Sequence, residues 1–261
     1  MAIGLVVAGC GSAAPTRGSV LSDIPSEPFP EATTGATTPS GRPPATPVVI
    51  VLNPGHNGGN GTHPDEISRQ VPAGAGKTKE CDTTGTQTNA GYPEHAFTWD
   101  VTVKVRAALE AKGVTVVLTR EDDNGVGPCV DVRAGIGNRS NAAAVVSIHA
   151  DGSTGAGARG FHVAYPQPAL NGAQGEPSAK LARQLRDVLT TAGFAPANYI
   201  GSNGLDGRDD LAGLNLSERP AVFVECGNMR DASDAEVLSN EDGRQRYATA
   251  IAGALLGYVG R

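Results

Sequence analysis

Three short hydrophobic runs along the chain each end in polar side chains. The runs cover residues 47–52, 144–148 and 221–224, and valine and isoleucine are frequent in them. They are too short for helices and too uniformly apolar for half-exposed strands, which indicates buried strands of a parallel sheet. The carboxyl ends of such strands meet at one edge of an open α/β sheet, where ligands bind. The polar residues that follow the three runs are therefore expected to converge.

Segments with helical spacing of apolar residues lie between these strands. Residues 94–112 place Val101, Val105 and Leu109 at helical intervals, and Gly113 ends the segment. Similar patterns predict helices over 132–141, 179–192 and 240–259, and further strands over 114–119 and 160–165. This alternation predicts an α/β domain in which most strands are parallel.

The first 46 residues differ in composition from the rest of the chain. Residues 1–10 form an apolar run ending in Cys10, which resembles the end of a bacterial lipoprotein signal peptide. Export is therefore expected, with Cys10 as a candidate for lipidation and for a membrane tether, although the first basic residue is only Arg17. Residues 11–46 are rich in Ser, Thr, Ala, Pro and Gly, which predicts a flexible linker. The folded domain then covers 47–261.

Charge and cysteine content exclude some classes of protein. The net charge is -6, with 21 Lys and Arg against 27 Asp and Glu, and no basic cluster is present. Nucleic acid is therefore not an expected partner, because phosphate binding relies on clustered Lys and Arg. The four cysteines include no Cys-x-x-Cys pair, so a zinc-finger pattern is absent. We expect a monomer that acts on a neutral or mixed-charge substrate.

Two cysteines fall in long segments without sustained periodicity. Cys81 lies in the 57–92 loop, and Cys129 lies in the 121–131 loop. In an exported protein a disulfide between them is the simplest expectation, although free thiols remain an alternative because sequence does not fix pairing. Cys226 follows an apolar strand and is expected to be an inert buried thiol. A loop as long as 57–92 is usually functional or partly mobile.

Two histidines and one glutamate are candidate metal ligands. His56 and His149 follow the first and second hydrophobic runs, and Glu94 opens the helix after the long loop. Two imidazoles and a carboxylate form a known ligand set for catalytic zinc, with the fourth position left for water. His95 is a rival to Glu94 but points roughly 100° away around the helix. His63, inside the long loop, is a weaker rival.

Three further residues are candidates for catalysis or substrate binding. Glu225 follows the apolar third run, so we expect partial desolvation, a raised pKa and a role as general base and acid. A glutamate in a surface turn is the alternative. Asp151 is expected either to support the metal ligands or to bind substrate. Arg133 is expected to anchor a loop through a salt bridge or to contact substrate carboxylates.

The ordered set of motifs resembles the zinc-dependent N-acetylmuramoyl-L-alanine amidases of the type 3 family, in a mycobacterium-like branch. The motifs lie at 53–59, 94, 118–122, 131–138, 147–151 and 220–228. The resemblance implies a single α/β domain with a mostly parallel, twisted sheet of about six strands flanked by helices. It also implies one Zn2+ held by His56, Glu94 and His149, and catalysis by Glu225. The implied reaction hydrolyses the amide between the lactyl group of N-acetylmuramic acid and L-alanine in peptidoglycan or muropeptide fragments.

The sequence departs from the family pattern in its first motif and leaves two other functions open. The family usually has an acidic residue shortly after the first histidine, whereas residues 57–60 contain none. A zinc peptidase or carboxypeptidase acting on stem peptides would use the same chemistry. A protein that binds peptidoglycan and regulates without cutting it is the second alternative. The expected location, outside the cytoplasm in the periplasm or cell wall, suits all three.

Overall fold

The computed structural model describes residues 47–261, so the predictions for Cys10 and for the linker lie outside the described residues. The strands and helices are β1 (Val49–Pro54), α1 (Pro64–Ile67), β2 (Gln70–Gly74), β3 (Lys77–Glu80), α2 (Glu94–Glu110), β4 (Thr115–Leu118), α3 (Val130–Arg139), β5 (Ala144–Asp151), β6 (His162–Pro166), α4 (Glu176–Thr191), β7 (Leu205–Arg208), α5 (Ala212–Asn215), β8 (Ala221–Asn228), α6 (Ala232–Ser239) and α7 (Glu241–Tyr258). A short 3-10 helix precedes α1.

The three hydrophobic runs form neighbouring strands of a six-stranded sheet. The strand order is β4-β1-β5-β8-β6-β7, so β1, β5 and β8 lie side by side. All neighbours are parallel except β6, which runs antiparallel to β8. The predicted α/β domain with a mostly parallel sheet is confirmed.

Side chains of the central strands alternate between two hydrophobic cores, as expected for strands buried on both faces. Ile50 of β1 joins the larger core, whereas Val51 faces the smaller one. In β5, Val146 lies in the larger core and Val145 in the smaller one. Helices α2, α4 and α7 cover the larger core, with apolar side chains that include Phe97, Leu185 and Ile251.

The same alternation brings polar side chains to the face of the smaller core at the carboxyl ends of the strands. Asn53 follows two residues after Val51 of β1. In β5 and β8, Ser147 pairs with Phe223, and His149 pairs with Glu225 in register. Because side chains two residues apart share a face, these groups stand together beyond the apolar part of the sheet. The two-residue repeat of the strands therefore places these polar side chains together at one edge of the sheet.

Several elements of the fold were not predicted from the sequence. The 57–92 segment is not an unstructured loop: it contains α1 and the antiparallel hairpin of β2 and β3. Pro72 within β2 obscured its strand pattern, because proline is confined to edge strands and bulges. Strand β8 extends beyond the predicted run of 221–224 to Asn228, whose side chain donates hydrogen bonds to the carbonyl oxygens of Ser153 and Ala158. Among the described residues, no helix is both long and apolar enough to cross a bilayer.

A disulfide ties the hairpin segment to the start of α3. Cys81 and Cys129 are bonded across 48 positions of sequence, and both are buried. Cys81 immediately follows β3, and Cys129 immediately precedes α3. Cys226 is a buried free thiol.

Replacement of both bonded cysteines by serine is expected to lower the free energy of unfolding by about 4 kcal/mol, because a long loop in the unfolded chain is no longer closed. Guanidinium unfolding measures the change. Dithiothreitol should lower the wild-type midpoint and leave the double variant unaffected, and Cys226→Ala should keep the wild-type response to the reductant. A loss below about 1 kcal/mol would contradict the prediction.

Candidate metal centre and active site

A cavity of about 310 Å³ opens at the carboxyl ends of β1, β5 and β8. Its walls include His56, Glu94, His149, Asp151 and Glu225. These residues come from the end of β1, the first turn of α2, and strands β5 and β8. The convergence expected from the strand ends is therefore present in the fold.

His56, Glu94 and His149 lie close enough to share one ion. Ligand atoms of the three side chains all lie within 4.8 Å of one another. The Nε2 atom of His56 lies 3.3 Å from Oε2 of Glu94, and Nδ1 of His149 lies 3.0 Å from Oε1. The two imidazole rings are nearly perpendicular, with centroids 5.0 Å apart.

A strained backbone and the carboxylate of Asp82 orient the imidazole of His56. His56 has φ of 58°, in the left-handed region that non-glycine residues rarely adopt. Its Nδ1 lies 3.2 Å from Oδ1 of Asp82 and 3.0 Å from the carbonyl oxygen of Thr83, which leaves Nε2 facing Glu94. Burial alone would lower the pKa of His56, but the carboxylates of Glu94 and Asp82 outweigh it and raise the pKa to about 10.

The carboxylate of Glu94 is held from four sides. Backbone amides of Thr86 and Ala150 donate to its two oxygens at 2.9 and 3.1 Å, in addition to the contacts with the two histidines. Burial would raise the pKa of Glu94, but the nearby His56 and the hydrogen bonds from both histidines hold the pKa well below its usual range. Glu94 is therefore an ionised, fixed carboxylate.

His149 is packed into place by a glycine and an aromatic ring. A Cβ atom at Gly55 would lie 2.2 Å from Cε1 of His149, so only glycine permits this ring position. The ring of Phe223 stacks on the His149 ring, with centroids 5.2 Å apart and planes 18° apart. Burial lowers the pKa of His149 and favours the neutral form that binds metals.

The donor chemistry of this cluster fits a catalytic zinc ion. Two imidazoles and one carboxylate are three protein ligands, and one position remains for water or substrate. The hydrogen bond from His56 to Asp82 is the outer support that metal-binding histidines commonly have. Neither rival histidine is among the three residues whose ligand atoms meet. Nδ1 of His95 lies 2.7 Å from Asp123, and Nδ1 of His63 lies 2.8 Å from the carbonyl oxygen of Gly59.

Two carboxylates lie beside the cluster. Glu225 is directly opposite His149 in the β5–β8 register and lines the cavity. Its pKa is raised well above the usual range by burial and by the negative charges of Glu94 and Asp151. Asp151 accepts hydrogen bonds from the hydroxyl of Tyr199 at 2.7 Å and from the backbone amide of Gly152 at 2.6 Å.

Arg133 forms part of the frame of the site. Its guanidinium donates to the carboxylate of Asp82 at 3.1 Å, to Oδ1 of Asn53 at 2.9 Å and to backbone carbonyls that include those of Pro54 and His56. Only 3% of the residue is exposed. The buried salt bridge with Asp82 ties the hairpin segment to the end of β1, which matches the anchoring alternative for Arg133.

Sequence reasoning missed Asp82 and Tyr199. Asp82 supplies the acidic partner of His56 that residues 57–60 lack, but from a distant part of the long loop. Its position next to the bonded Cys81 is the signal that could have indicated a fixed location. No periodic pattern marks Tyr199, which lies in a connection between α4 and β7.

The protein has an α/β domain with a His–Glu–His donor set and a further carboxylate at the edge of its sheet. These features make it a candidate metallohydrolase. A family model described as N-acetylmuramoyl-L-alanine amidase (Amidase_3) matches residues 50–256, and the chain belongs to this family. N-acetylmuramoyl-L-alanine amidase Rv3717 of Mycobacterium tuberculosis is 49% identical over 212 residues, covering 81% of this chain and 86% of the relative.

Solved structures of similar proteins share the fold. The N-acetylmuramyl-L-alanine amidase Ami1 from Mycobacterium smegmatis is 50% identical, with a TM-score of 0.79 over 82% of this chain and 97% of that chain. Ami1 from Mycobacterium abscessus is also 50% identical, with a TM-score of 0.78 over 81% of this chain and 98% of that chain. Both solved structures match this chain over nearly all of their own length, in agreement with the family assignment.

Gly55→Ala is expected to displace the His149 ring and to reduce hydrolysis by about a hundredfold, because an added methyl group overlaps the imidazole. Kinetics on a muropeptide, with circular dichroism to check folding, measures the effect. Gly172→Ala is the matched control, since a Cβ atom there meets nothing within 4 Å. Full activity of a folded Gly55→Ala protein would contradict this role of Gly55.

Proposed function

We propose that the chain is an exported zinc-dependent amidase that hydrolyses the bond between the lactyl group of N-acetylmuramic acid and L-alanine in peptidoglycan. The observation that carries the proposal is the meeting of His56, Glu94 and His149 within 4.8 Å, with Glu225 in the same cavity. Family membership supports the choice of this amide bond over other amides. The Cys81–Cys129 disulfide supports export, because disulfides persist in oxidising compartments.

His56, Glu94 and His149 would hold the zinc ion through two imidazole nitrogens and a carboxylate. When bound, zinc supplies a Lewis acid that polarises a carbonyl oxygen and lowers the pKa of water. The hydrogen bonds and packing contacts of these three side chains already orient them, so little reorganisation is needed when the ion binds. Asp82 keeps Nδ1 of His56 protonated, so that Nε2 carries the lone pair for the metal.

Glu225 is the proposed general base and acid. Its carboxylate takes a proton from the attacking water while the oxygen of that water bonds to the carbonyl carbon. It then returns the proton to the amide nitrogen as the carbon–nitrogen bond breaks, which gives a lactyl carboxylic acid and the free amine of L-alanine. A carboxyl group with a raised pKa suits both steps near neutral pH.

Digestion of purified cell wall, with and without a chelator, tests the proposed function. Mass spectrometry of the products should show free stem peptides with L-alanine at the amino terminus, and the chelator should abolish them. Products cut within the stem peptide would indicate a peptidase. Absence of any product from the zinc-loaded protein would indicate a binding protein and would contradict the proposal.

Glu225→Gln is expected to lower kcat by about a hundredfold to ten-thousandfold while zinc content stays at that of the wild type, because glutamine cannot carry the proton. Elemental analysis and muropeptide mass spectrometry on the same sample measure both quantities. Asp65→Asn on α1 serves as an exposed carboxylate control. Wild-type turnover by Glu225→Gln would remove this residue from the mechanism.

Zinc binding to the metal-free protein at pH 7 is expected to release about one proton per ion. The pKa of His56 of about 10 means that its ring is protonated at this pH, and a metal ligand must be neutral. Apparent zinc affinity should therefore rise about tenfold per pH unit from pH 7 to pH 9. Calorimetry in buffers of different ionisation enthalpy counts the protons, and a binding enthalpy independent of the buffer would contradict the prediction.

A further inference from the structure

A second cavity of about 490 Å³ lies next to the metal centre. Gly85 and Thr86 line both cavities, so these two residues form a dividing wall between them. The amide of Thr86 donates to the carboxylate of Glu94, and the amide of Glu94 donates to the carbonyl oxygen of Thr86, both at 2.9 Å. A Cβ atom at Gly85 would lie 2.7 Å from Oε2 of Glu94. The dividing wall is therefore fixed directly to a proposed metal ligand.

Consecutive residues of α2 serve the two cavities. Glu94 lines the first cavity, and His95 lines the second, because successive helical side chains point roughly 100° apart. Nδ1 of His95 lies 2.7 Å from Oδ2 of Asp123. The side chain of His95 is 23% exposed, so part of the ring remains accessible.

A buried arginine fixes the carboxylate that orients His95. Arg120 is 3% exposed and donates to Oδ1 of Asp123 at 3.0 Å and to the backbone carbonyl of His95 at 3.1 Å. It also donates to the carbonyl oxygen of Pro54 at 3.1 Å, which links this group to the end of β1. The hydrogen bonds from Arg120 to Asp123 and between Asp123 and His95 thus hold the imidazole ring of His95 at the second cavity.

The hydrogen bond to Asp123 determines what His95 can offer a ligand. A carboxylate only accepts, so Nδ1 of His95 carries the proton that it donates. In the neutral ring, Nε2 is then the acceptor, and it is suited to a hydroxyl or amide N–H of a ligand. Asn57, Thr84, Thr86 and Gln87 add amide and hydroxyl groups to the walls of the same cavity.

The two cavities differ in charge. The first is lined by charged side chains that include Lys79, Glu80, Asp151 and Glu225, whereas no Asp, Glu, Lys or Arg lines the second. Stem peptides carry carboxylates, and N-acetylated sugars are neutral rings with hydroxyl and amide groups. We propose that the second cavity is a saccharide subsite in which His95 hydrogen-bonds an N-acetylated sugar of the glycan. This inference rests on the proposed function and adds a substrate-binding residue to it.

The test compares two substrates in the zinc-loaded full chain: a disaccharide-tripeptide and a lactyl-tripeptide that lacks the sugar. His95→Ala is expected to raise KM for the first about tenfold, with kcat within about twofold, as loss of one substrate hydrogen bond implies. The kinetics of the lactyl-tripeptide should not change. Asp123→Asn should raise KM for the disaccharide substrate by a smaller factor. His63→Gln, an exposed histidine outside both cavities, is the matched control.

Titration with a peptide-free trisaccharide of the glycan gives a second readout by nuclear magnetic resonance. The wild type should bind it with shifts at 84–87 and 95, and His95→Ala should bind at least about tenfold more weakly. Equal effects of His95→Ala on both substrates, or none on either, would overturn the subsite. If the wild type hydrolyses neither substrate, the proposed function itself fails. If the wild type hydrolyses only the sugar-bearing substrate, the trisaccharide titration alone decides whether the second cavity binds the sugar.

Discussion

The buried carboxylate of Glu94 is the contact on which the rest of the site depends. It joins the first turn of α2 to the two histidines at the strand ends and to the backbone of the long loop through Thr86. Removing a charge this deep from water is costly unless it is compensated by nearby partners. The imidazoles and two amides provide that compensation, and a bound cation would add to it. The stability of this edge of the sheet and the proposed metal binding therefore depend on the same atoms.

The sheet and two buried arginines hold the residues of this cluster in position. Strand periodicity delivers His149 and Glu225 to one face, while Arg133 and Arg120 tie the end of β1 to the loops around it. Both guanidiniums are buried, and both donate mainly to carbonyl and carboxylate oxygens. These hydrogen bonds fix the loops at the edge of the sheet where the candidate site lies.

Local patterns were sufficient to predict the core of this architecture. The hydrophobic runs predicted β1, β5 and β8, and the spacing of Val101, Val105 and Leu109 predicted α2, because burial on a sheet imposes those periods. Contacts made through irregular backbone were not predictable in the same way. Asp82 reaches His56 only because the hairpin segment folds back, and the need for Gly55 appears only when the ring of His149 is in place.

X-ray absorption at the zinc edge tests most directly whether His56, Glu94 and His149 bind one ion. We expect one zinc per chain, with nitrogen and oxygen ligands at about 2.0 to 2.2 Å, two of them imidazoles. His149→Ala should remove one imidazole from that spectrum. A sulfur ligand at about 2.3 Å, or a spectrum unchanged in His149→Ala, would contradict a zinc site formed by His56, Glu94 and His149.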